Sequence, residues 1–268
     1  MSTVDAQAKI NLALVVGPIR EDGKHEVATV IQRIALHDRI QVSPGDGLRV
    51  TGFEDTIVAE ALTALAVAAG VEPAWAVEIE KQIPVAAGLG GGSSDAATAL
   101  RLANDHLPEP LAPPELAALA ATIGADVPFF LTSGTQLGSG DGSTLADVAL
   151  PRDYAVVLVL PADAVKTSTA DVYRAFDARD GAEGYAGRRE ELLRALAAVR
   201  SPRDLALLPP NDLASSPLAV RLRGLGAFRA DVSGAGPCVY GLFDDSESAA
   251  EAAHALRSVG GTRVTLPI

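Results

Sequence analysis

A glycine-rich turn between a predicted strand and a predicted helix limits what this chain can fold into more than any other feature. The turn reads Pro84-Val85-Ala86-Ala87-Gly88-Leu89-Gly90-Gly91-Gly92-Ser93-Ser94. Alternating apolar residues over 74–80 predict the strand before it, and a helix is predicted over 94–106. Glycines permit positive φ, so successive N–H groups can converge on an anion at the positive end of the helix dipole. The turn therefore predicts a site for a phosphate group.

The residues at the end of this turn favour a phosphate site over a plain connection. Ser93 and Ser94 supply hydroxyls for phosphate oxygens or a magnesium ion, and Asp95 is favourable near a helix start on dipole grounds. The alternative is a flexible turn with a serine N-cap, but three consecutive glycines followed by Ser-Ser-Asp indicate more than that. The sequence lacks the Gly-Lys-Ser/Thr ending of a P-loop and the third glycine of the dinucleotide fingerprint.

Length, charge and cysteine content exclude several classes of protein. The 268 residues are enough for two domains, and 48% hydrophobic residues support a folded core. A net charge of −12, without a long run of Lys or Arg, argues against a nucleic-acid partner. The single Cys238 cannot form an internal disulfide, and the first ten residues have no apolar signal core. We expect a cytoplasmic monomer or homodimer with no membrane partner.

The order of predicted elements places a domain boundary at Pro151-Arg152-Asp153. Before it, the pattern favours an antiparallel sheet and several helices, with strands over 10–16, 27–36, 39–43 and 48–51 and helices over 55–69, 113–123 and 126–131. After it, the predicted order is β-α-α-α-β-β-α-β, with elements over 154–160, 167–177, 188–199, 211–223, 228–233, 238–243, 246–258 and 262–266. That order is close to a ferredoxin-like α+β layer, and 177–187 is the best candidate for a mobile loop.

Several segments resemble a known superfamily. The pattern Pro-x-x-x-Gly-Leu-Gly-Gly-Gly-Ser-Ser resembles the ATP loop of the GHMP kinases. The other matching segments are Ala8-Lys9-Ile10-Asn11-Leu12, Asp22-Gly23-Lys24-His25, Gly124-Ala125-Asp126-Val127-Pro128-Phe129-Phe130, Pro210-Asn211-Asp212-Leu213 and Ser233-Gly234-Ala235-Gly236-Pro237. They run in the expected order and, as a combination, resemble one family of that superfamily, the 4-diphosphocytidyl-2-C-methyl-D-erythritol kinases of the non-mevalonate isoprenoid pathway.

The resemblance implies a fold and an activity. The fold would be α+β, with an N-terminal ribosomal-protein-S5-like domain over 1–150 that binds ATP, a C-terminal ferredoxin-like domain over 151–268, and the active site in the cleft between them. The activity would be ATP- and Mg²⁺-dependent phosphorylation of the 2-hydroxyl of a small diphosphocytidyl substrate, with Ser94 as a candidate magnesium contact. Two alternatives stay open: a GHMP-type kinase for homoserine, mevalonate or a sugar, and a catalytically silent nucleotide-binding relative.

The resemblance also implies a catalytic pair. Asp126 would accept the proton of the acceptor hydroxyl, and the Lys9 ammonium would keep that carboxylate ionised and steady the developing charge. The alternative for Asp126 is a helix N-cap ahead of Pro128, and the alternative for Lys9 is a solvated residue before a strand. Asn11 would orient the substrate or the pair.

The substrate contacts implied by the resemblance centre on His25, which matches a cytosine-reading histidine. The family usually has an aromatic residue before this histidine, whereas this chain has Lys24, whose stem can cover a base and whose charge can meet a phosphate. Lys24 therefore bears on cytidine specificity. Tyr173 is expected to cover the other face of the base, in a segment that includes Thr169. The turn Gly234-Ala235-Gly236 is expected to clamp the substrate diphosphate, the alternative being a tight β turn.

Overall fold

Two long strands at the start of the chain run through two compact units. The structure is a computed structural model that describes residues 3–53, 56–164 and 168–268. The first unit comprises the described residues up to Ala8, Leu36–Val85 and Gly90–Ser133, and the second comprises Lys9–Ala35, Ala86–Leu89 and Gly134–Ile268. The strands β1 (Val4–Ile19) and β2 (His25–Pro44) pair with each other, and each passes from one unit to the other.

The remaining elements follow in chain order. The strands are β3 (Arg49–Thr51), β4 (Trp75–Glu80), β5 (Thr135–Gly140), β6 (Thr144–Val148), β7 (Ala155–Pro161), β8 (Arg229–Val232), β9 (Val239–Phe243) and β10 (Gly260–Thr265). The helices are α1 (Thr56–Ala69), α2 (Gly91–Asn104), α3 (Pro113–Ile123), α4 (Val127–Leu131), α5 (Thr169–Asp177), α6 (Tyr185–Ala198), a 3-10 helix (Pro202–Leu207), α7 (Pro217–Gly224) and α8 (Ser246–Ala255). Among the helices in the described part of the chain, none has the length and apolar content to cross a bilayer.

The first unit is built on the second half of β2. Residues 39–44 of this strand pair antiparallel with β4, and β4 pairs in parallel with β3. The helices α1 to α4 pack against one another, and α2 buries a row of alanines against its neighbours. Small side chains let helices approach closely, and tight packing leaves little room for a helix to shift. The first turn of α2, where the glycine turn ends, is therefore held by the core.

The second unit contains two sheet regions. Residues 27–31 of β2 pair antiparallel with β5, which pairs with β6. A separate four-stranded antiparallel sheet has the order β10-β7-β9-β8. The central strands β7 and β9 are almost fully apolar and buried, as strands covered by helices are. The predicted element order after residue 150 is confirmed, and the strand order is that of a ferredoxin-like layer.

Two predictions about this chain are wrong in detail. The predicted helix over 211–223 is not helical before Pro217, because Asn211 uses its side chain to bind Val232 O and Gly234 O, and Ser216 caps a helix that begins at Pro217. The predicted break between strands 27–36 and 39–43 is absent from β2, which runs through this region without interruption.

Other elements differ from the predictions in their bounds, and one hairpin was not predicted. The hairpin of β5 and β6 was not predicted, because the segment Thr-Gln-Leu-Gly-Ser-Gly lacks the apolar alternation that marks a strand. Within the segment 177–187, Asp177 still belongs to α5, residues 178–184 form turns, and α6 begins at Tyr185. Asp55 and Thr167, where two helices were predicted to start, lie outside the described residues. The two helices are described from Thr56 and Thr169.

Candidate active site

The backbone of the glycine turn alternates into the left-handed region. Ala86, Gly88 and Gly90 have φ values of 56°, 81° and 72°. An alanine at positive φ is strained and persists only where the surrounding structure imposes it. Left-handed residues in alternation are typical of turns whose N–H groups face a common concave side. The backbone is thus compatible with the anion cradle predicted over 84–94.

Within the second unit, the first part of this turn packs directly on the second glycine turn. A Cβ on Gly88 would lie 2.0 Å from Ser233 O, and a Cβ on Gly236 would lie 2.2 Å from the backbone of Ala87. Ser233 Oγ donates to Gly88 O at 2.9 Å, and Cys238 N donates to Ala87 O at 3.2 Å. Only residues without a side chain allow this approach of two backbones. Gly236 therefore supports the first glycine turn, and its predicted role as a clamp on the substrate stays a prediction.

Gly234 lies beside the predicted catalytic lysine in the same unit. A Cβ on Gly234 would lie 3.2 Å from Asn11 Oδ1 and 3.3 Å from Lys9 Nζ, and its φ is 58°. Gly234 O accepts a hydrogen bond of 2.7 Å from Asn211 Nδ2. The structure thus brings together Lys9, Asn11 and Gly234 from segments that are far apart in sequence. Ala235 follows, packed against an apolar cluster that includes Val27.

In the first unit, the glycine turn ends in a helix that begins earlier than predicted. The helix α2 starts at Gly91 and not at Ser94, with left-handed Gly90 as its N-cap and Ser94 N donating to Gly90 O at 2.9 Å. A serine N-cap is therefore not used, because the glycines themselves adopt helical conformation. Ser94 Oγ is buried and has no hydrogen-bond partner among the described residues. An unpaired buried hydroxyl is costly unless a ligand uses it, so Ser94 fits a contact to phosphate or Mg²⁺.

The carboxylates of the described residues form no ready-made cage for a metal ion. No group of three or more His, Cys, Asp or Glu side chains there is arranged to hold one. Mg²⁺ in nucleotide sites is usually held by substrate phosphates, waters and one or two protein oxygens.

Lys9 is buried and its ammonium is oriented by a chain of hydrogen bonds. Lys9 Nζ donates to Asn11 Oδ1 at 2.7 Å, Asn11 Nδ2 donates to Thr29 Oγ1 at 2.8 Å, and Thr29 Oγ1 donates to Ala13 O at 2.8 Å. Lys9, Asn11 and Thr29 are each at most 5% exposed. A solvated lysine before a strand, the alternative for Lys9, is excluded by this burial. The side chain is built into the unit as a fixed cation.

The structure places Asp126 at the start of α4, in the first unit. It stands at the N-cap position ahead of Pro128, but its side chain accepts no capping hydrogen bond. The carboxylate of Asp126 is therefore not engaged in the capping role that was its alternative. Its predicted role as the proton acceptor stays a prediction.

His25 and Tyr173 come together in an aromatic cluster of the second unit. Their rings stack with centroids 4.9 Å apart, and Phe176 meets the His25 ring edge-on at 5.8 Å. His25 Nδ1 lies 2.8 Å from Gly17 O, and His25 Nε2 lies 3.4 Å from Asp177 Oδ1. The two residues predicted to contact a base are thus neighbours. Thr169 is exposed at the start of α5, four residues before Tyr173.

Lys24 forms an ion pair that the sequence did not indicate. Its Nζ lies 2.6 Å from Asp141 Oδ2, on the connection between β5 and β6. Partial burial alone would raise the pKa of Asp141, but hydrogen bonds from Lys24 and Ser143 lower it to about 2. The Lys24 ammonium therefore has a carboxylate partner in place throughout the neutral pH range.

Three polar residues of the site had no assigned role in the sequence. Thr29 orients Asn11, Ser233 binds the glycine turn, and Asn211 holds Gly234 O. Thr29 interrupts the apolar run Val-Ala-Thr-Val-Ile, and a polar residue inside a buried strand must find a partner. The interruption of the apolar run was the signal in the sequence for a hydrogen-bonding role of Thr29, although it does not identify Asn11 as the partner.

Family models agree with the fold and the glycine turn. The sequence matches the model described as GHMP kinases N terminal domain over residues 56–134 and the one described as GHMP kinases C terminal over residues 218–262. With the two-sheet α+β fold, these matches define the class as an ATP-dependent small-molecule kinase of the GHMP type.

Relatives with curated names narrow this class. The chain is 40% identical over 261 residues to the 4-diphosphocytidyl-2-C-methyl-D-erythritol kinase of Salinispora arenicola, covering 88% of this chain and 82% of the relative. It is 38% identical over 278 residues to the protein of the same name from Syntrophotalea carbinolica, covering 98% and 97%. The chain belongs to the 4-diphosphocytidyl-2-C-methyl-D-erythritol kinase family.

Solved structures agree with this family membership. A 4-(cytidine 5'-diphospho)-2C-methyl-D-erythritol kinase structure has a TM-score of 0.80 at 34% identity, with all of both chains covered. The mevalonate kinase of Methanococcus jannaschii has a TM-score of 0.76 at 14% identity, covering 100% of this chain and 98% of that one. The second likeness concerns the fold alone.

Proposed function

We propose that this protein transfers the γ-phosphoryl group of ATP to the 2-hydroxyl of 4-diphosphocytidyl-2-C-methyl-D-erythritol. The observation that carries the proposal is the buried Lys9 ammonium, fixed by Asn11 and adjacent to Gly234. A desolvated, pre-oriented cation is costly to build and is well suited to stabilising charge that develops during phosphoryl transfer. Membership of the kinase family supplies the substrate class.

The roles of the reacting groups follow from the chemistry of an in-line displacement. The acceptor hydroxyl oxygen attacks the γ-phosphorus, the bond to the β,γ-bridging oxygen breaks, and ADP leaves with its electrons. The hydroxyl proton passes to the carboxylate of Asp126, and Lys9 stabilises the negative charge near the acceptor oxygen. The turn 84–94 holds the ATP phosphates on backbone N–H groups, with Ser94 as a further contact. Bound Mg²⁺ would neutralise part of the phosphate charge.

The acceptor end is assigned to the aromatic cluster of the second unit. His25 is oriented by Gly17 O, so its other ring nitrogen and its backbone are the groups that would read a pyrimidine edge. Tyr173 would cover one face of the base. Because Lys24 is paired with Asp141, its stem is the part that would cover the opposite face.

The activity is tested with the purified chain, ATP, Mg²⁺ and a panel of acceptors. Phosphorus NMR and mass spectrometry would detect a new phosphomonoester on the diphosphocytidyl substrate, with ADP formed in equal amount. Homoserine, mevalonate and galactose serve as competing acceptors. Preference for any of these, or nucleotide binding without turnover of any acceptor, would overturn the proposal.

Two substitutions test the catalytic pair. Asp126→Asn removes the proton acceptor, and Lys9→Met removes the cation while keeping most of the side-chain length. We expect kcat to fall by a factor of about 10² or more in each, as is usual when an acid–base or charge-stabilising group is lost. Single-turnover rates measured at saturating ATP check this. Wild-type rates in both variants would remove Lys9 and Asp126 from the mechanism while leaving the kinase assignment intact.

The proposal also covers the cellular setting, the metal ion and the partners of the protein. We expect the protein to work in the cytoplasm as a monomer or homodimer, to need Mg²⁺ with ATP, and to bind no nucleic acid. Fractionation of the cells, light scattering and the loss of activity on adding a chelator check these points separately.

A further inference from the structure

A half-buried lysine in the first unit contacts two buried carboxylates. Lys81, just after β4, places its Nζ 2.5 Å from Asp38 Oδ2 and 2.7 Å from Asp95 Oδ2. Both aspartate side chains are fully buried, the Lys81 side chain is 15% exposed, and its Nζ lies 5.5 Å from the centroid of the Phe53 ring. Lys81, Asp38 and Asp95 have no part in the proposed phosphoryl transfer. Ion pairs this deeply buried are costly to assemble, so their position needs an explanation.

The three residues connect both ends of the phosphate turn. Lys81 lies three residues before Pro84, where the turn begins, and Asp95 lies in the first turns of α2, directly after the turn ends. A Cβ on Gly91 would lie 3.2 Å from Lys81 Nζ, so the ammonium rests against the turn itself.

Asp38 fixes the chain that enters the turn. Its Oδ1 accepts backbone hydrogen bonds from Gln82 N at 2.5 Å and Ile83 N at 2.8 Å, while its Oδ2 accepts from Lys81. Both carboxylate oxygens of Asp38 therefore accept hydrogen bonds from the segment Lys81–Ile83. The segment Lys81–Ile83 is locked to β2, on which Asp38 stands.

We propose that Asp38, Lys81 and Asp95 are positioning residues for ATP binding. They clamp the end of β4 to the start of α2 and so fix the orientation of the backbone N–H groups in the turn between them. This inference rests on the proposed function, since it takes residues 84–94 as the ATP site. The network acts through the turn and is assigned no contact with nucleotide. Loss of the clamp loosens the N–H groups that hold the phosphates.

The clamp depends on one cation. The Lys81 ammonium faces the two carboxylates of Asp38 and Asp95, and Asp95 Oδ1 has no hydrogen-bond partner among the described residues. Removal of the ammonium would leave both buried carboxylates without their counter-ion and would disconnect the end of β4 from the start of α2.

The decisive experiment measures ATP affinity by calorimetry together with steady-state kinetics. In Lys81→Met we expect the Kd and KM for ATP to rise about tenfold, with KM for the acceptor within about twofold of wild type. A purely structural role would lower the thermal midpoint and the active fraction but leave the Kd of the folded molecules unchanged. Wild-type ATP affinity in Lys81→Met would overturn the inference.

A conservative variant keeps the test valid even if Lys81→Met fails to fold. Asp38→Asn keeps the volume of the side chain but replaces one acceptor oxygen with an NH2 group, so the clamp loses hydrogen bonds from the Lys81–Ile83 backbone or from the Lys81 ammonium. We expect its Kd for ATP to rise several-fold, with KM for the acceptor within about twofold of wild type. Wild-type ATP affinity in Asp38→Asn would contradict the inference.

A matched control separates this network from ion pairs in general. Arg203→Met breaks the exposed pair of Arg203 with Asp244 and should leave ATP affinity unchanged. The proposed function has its own readout: if wild type phosphorylates no acceptor, that proposal fails. If wild type is active and Lys81→Met binds ATP normally, only the inference about the clamp fails.

Discussion

At the scale of single residues, the site is defined by how one cation is held. An ammonium group has a strong preference for water, yet Lys9 is only 3% exposed, and Asn11 Oδ1 accepts a hydrogen bond from its Nζ. The side-chain amide of Asn11 could flip and exchange the positions of its oxygen and nitrogen. Thr29 fixes the orientation, because its Oγ1 accepts from Asn11 Nδ2 and donates to Ala13 O. Thr29 thus decides which end of the Asn11 amide faces Lys9.

Replacement of Thr29 by valine tests this relay. Valine keeps the volume and branching but loses the hydroxyl, so Asn11 Nδ2 and Ala13 O each lose a partner, at about 1–3 kcal/mol for a buried group. We expect kcat to fall about tenfold with KM for ATP little changed, because the orientation of Lys9 is disturbed and the phosphate turn is not. Steady-state kinetics of Thr29→Val and Thr29→Ser check this. Thr29→Ser keeps the hydroxyl and should restore most of the rate, and a failure to do so would point to packing as the cause.

At the scale of elements, the first part of the glycine turn, Ala86–Leu89, and the second glycine turn pack against each other within the second compact unit. Gly88 and Gly236 are each placed where a Cβ would collide with the backbone of the other turn. Ser233 Oγ and Cys238 N then add hydrogen bonds across the same contact. The conformation of the first turn, including positive φ at Ala86, is therefore supported by the second.

Gly236→Ala should damage this contact. The new Cβ would sit 2.2 Å from Ala87 C, so one backbone must move, at about 1–3 kcal/mol by analogy with overpacked cores. We expect a lower free energy of unfolding and weaker ATP binding. Gly261→Ala is the control, because a Cβ there meets nothing within 4 Å. Denaturant titration and calorimetry on both variants check the prediction, and equal behaviour of the two would show that the turns are not coupled.

At the scale of the whole molecule, the buried Asp95 couples proton binding to folding. Its pKa is raised to about 8 when folded, above the ordinary value of 3.8, so the folded state binds a proton more tightly than the unfolded chain. The stability contributed by this proton is fully present below pH 3.8 and is lost as pH rises through about 8. The direction is opposite to that of a carboxylate whose pKa is lowered by a salt bridge, such as Asp141.

Denaturant unfolding at pH 6 and pH 9 tests this coupling. The free energy of unfolding of wild type should decrease over this range relative to Asp95→Asn, by at most about 1.4 kcal/mol per pH unit for one proton. The comparison with Asp95→Asn cancels other titrating groups. A constant difference between the two proteins at both pH values would mean that Asp95 is ionised throughout.

The sequence by itself determined the elements and the chemistry that local residues can support. The apolar strands β7 and β9, the helix over 113–123 and the glycine turn were all predicted, because each depends on neighbours within a few residues. The order of strands and helices after residue 150 followed from the same local patterns. The predicted site residues also lie in the segments that resemble the kinase family, and their roles await the variants described above.

Only the tertiary structure decided which distant residues meet. It placed Lys24 against Asp141, 117 positions away, Lys81 between Asp38 and Asp95, and Gly236 against Ala87. The first part of the helix predicted over 211–223 was wrong for the same reason, because Asn211 Nδ2 donates to Val232 O and Gly234 O, and the helix begins only at Pro217. Such contacts are set by packing and by the need to pair every buried polar group, and spacing along the chain does not specify them.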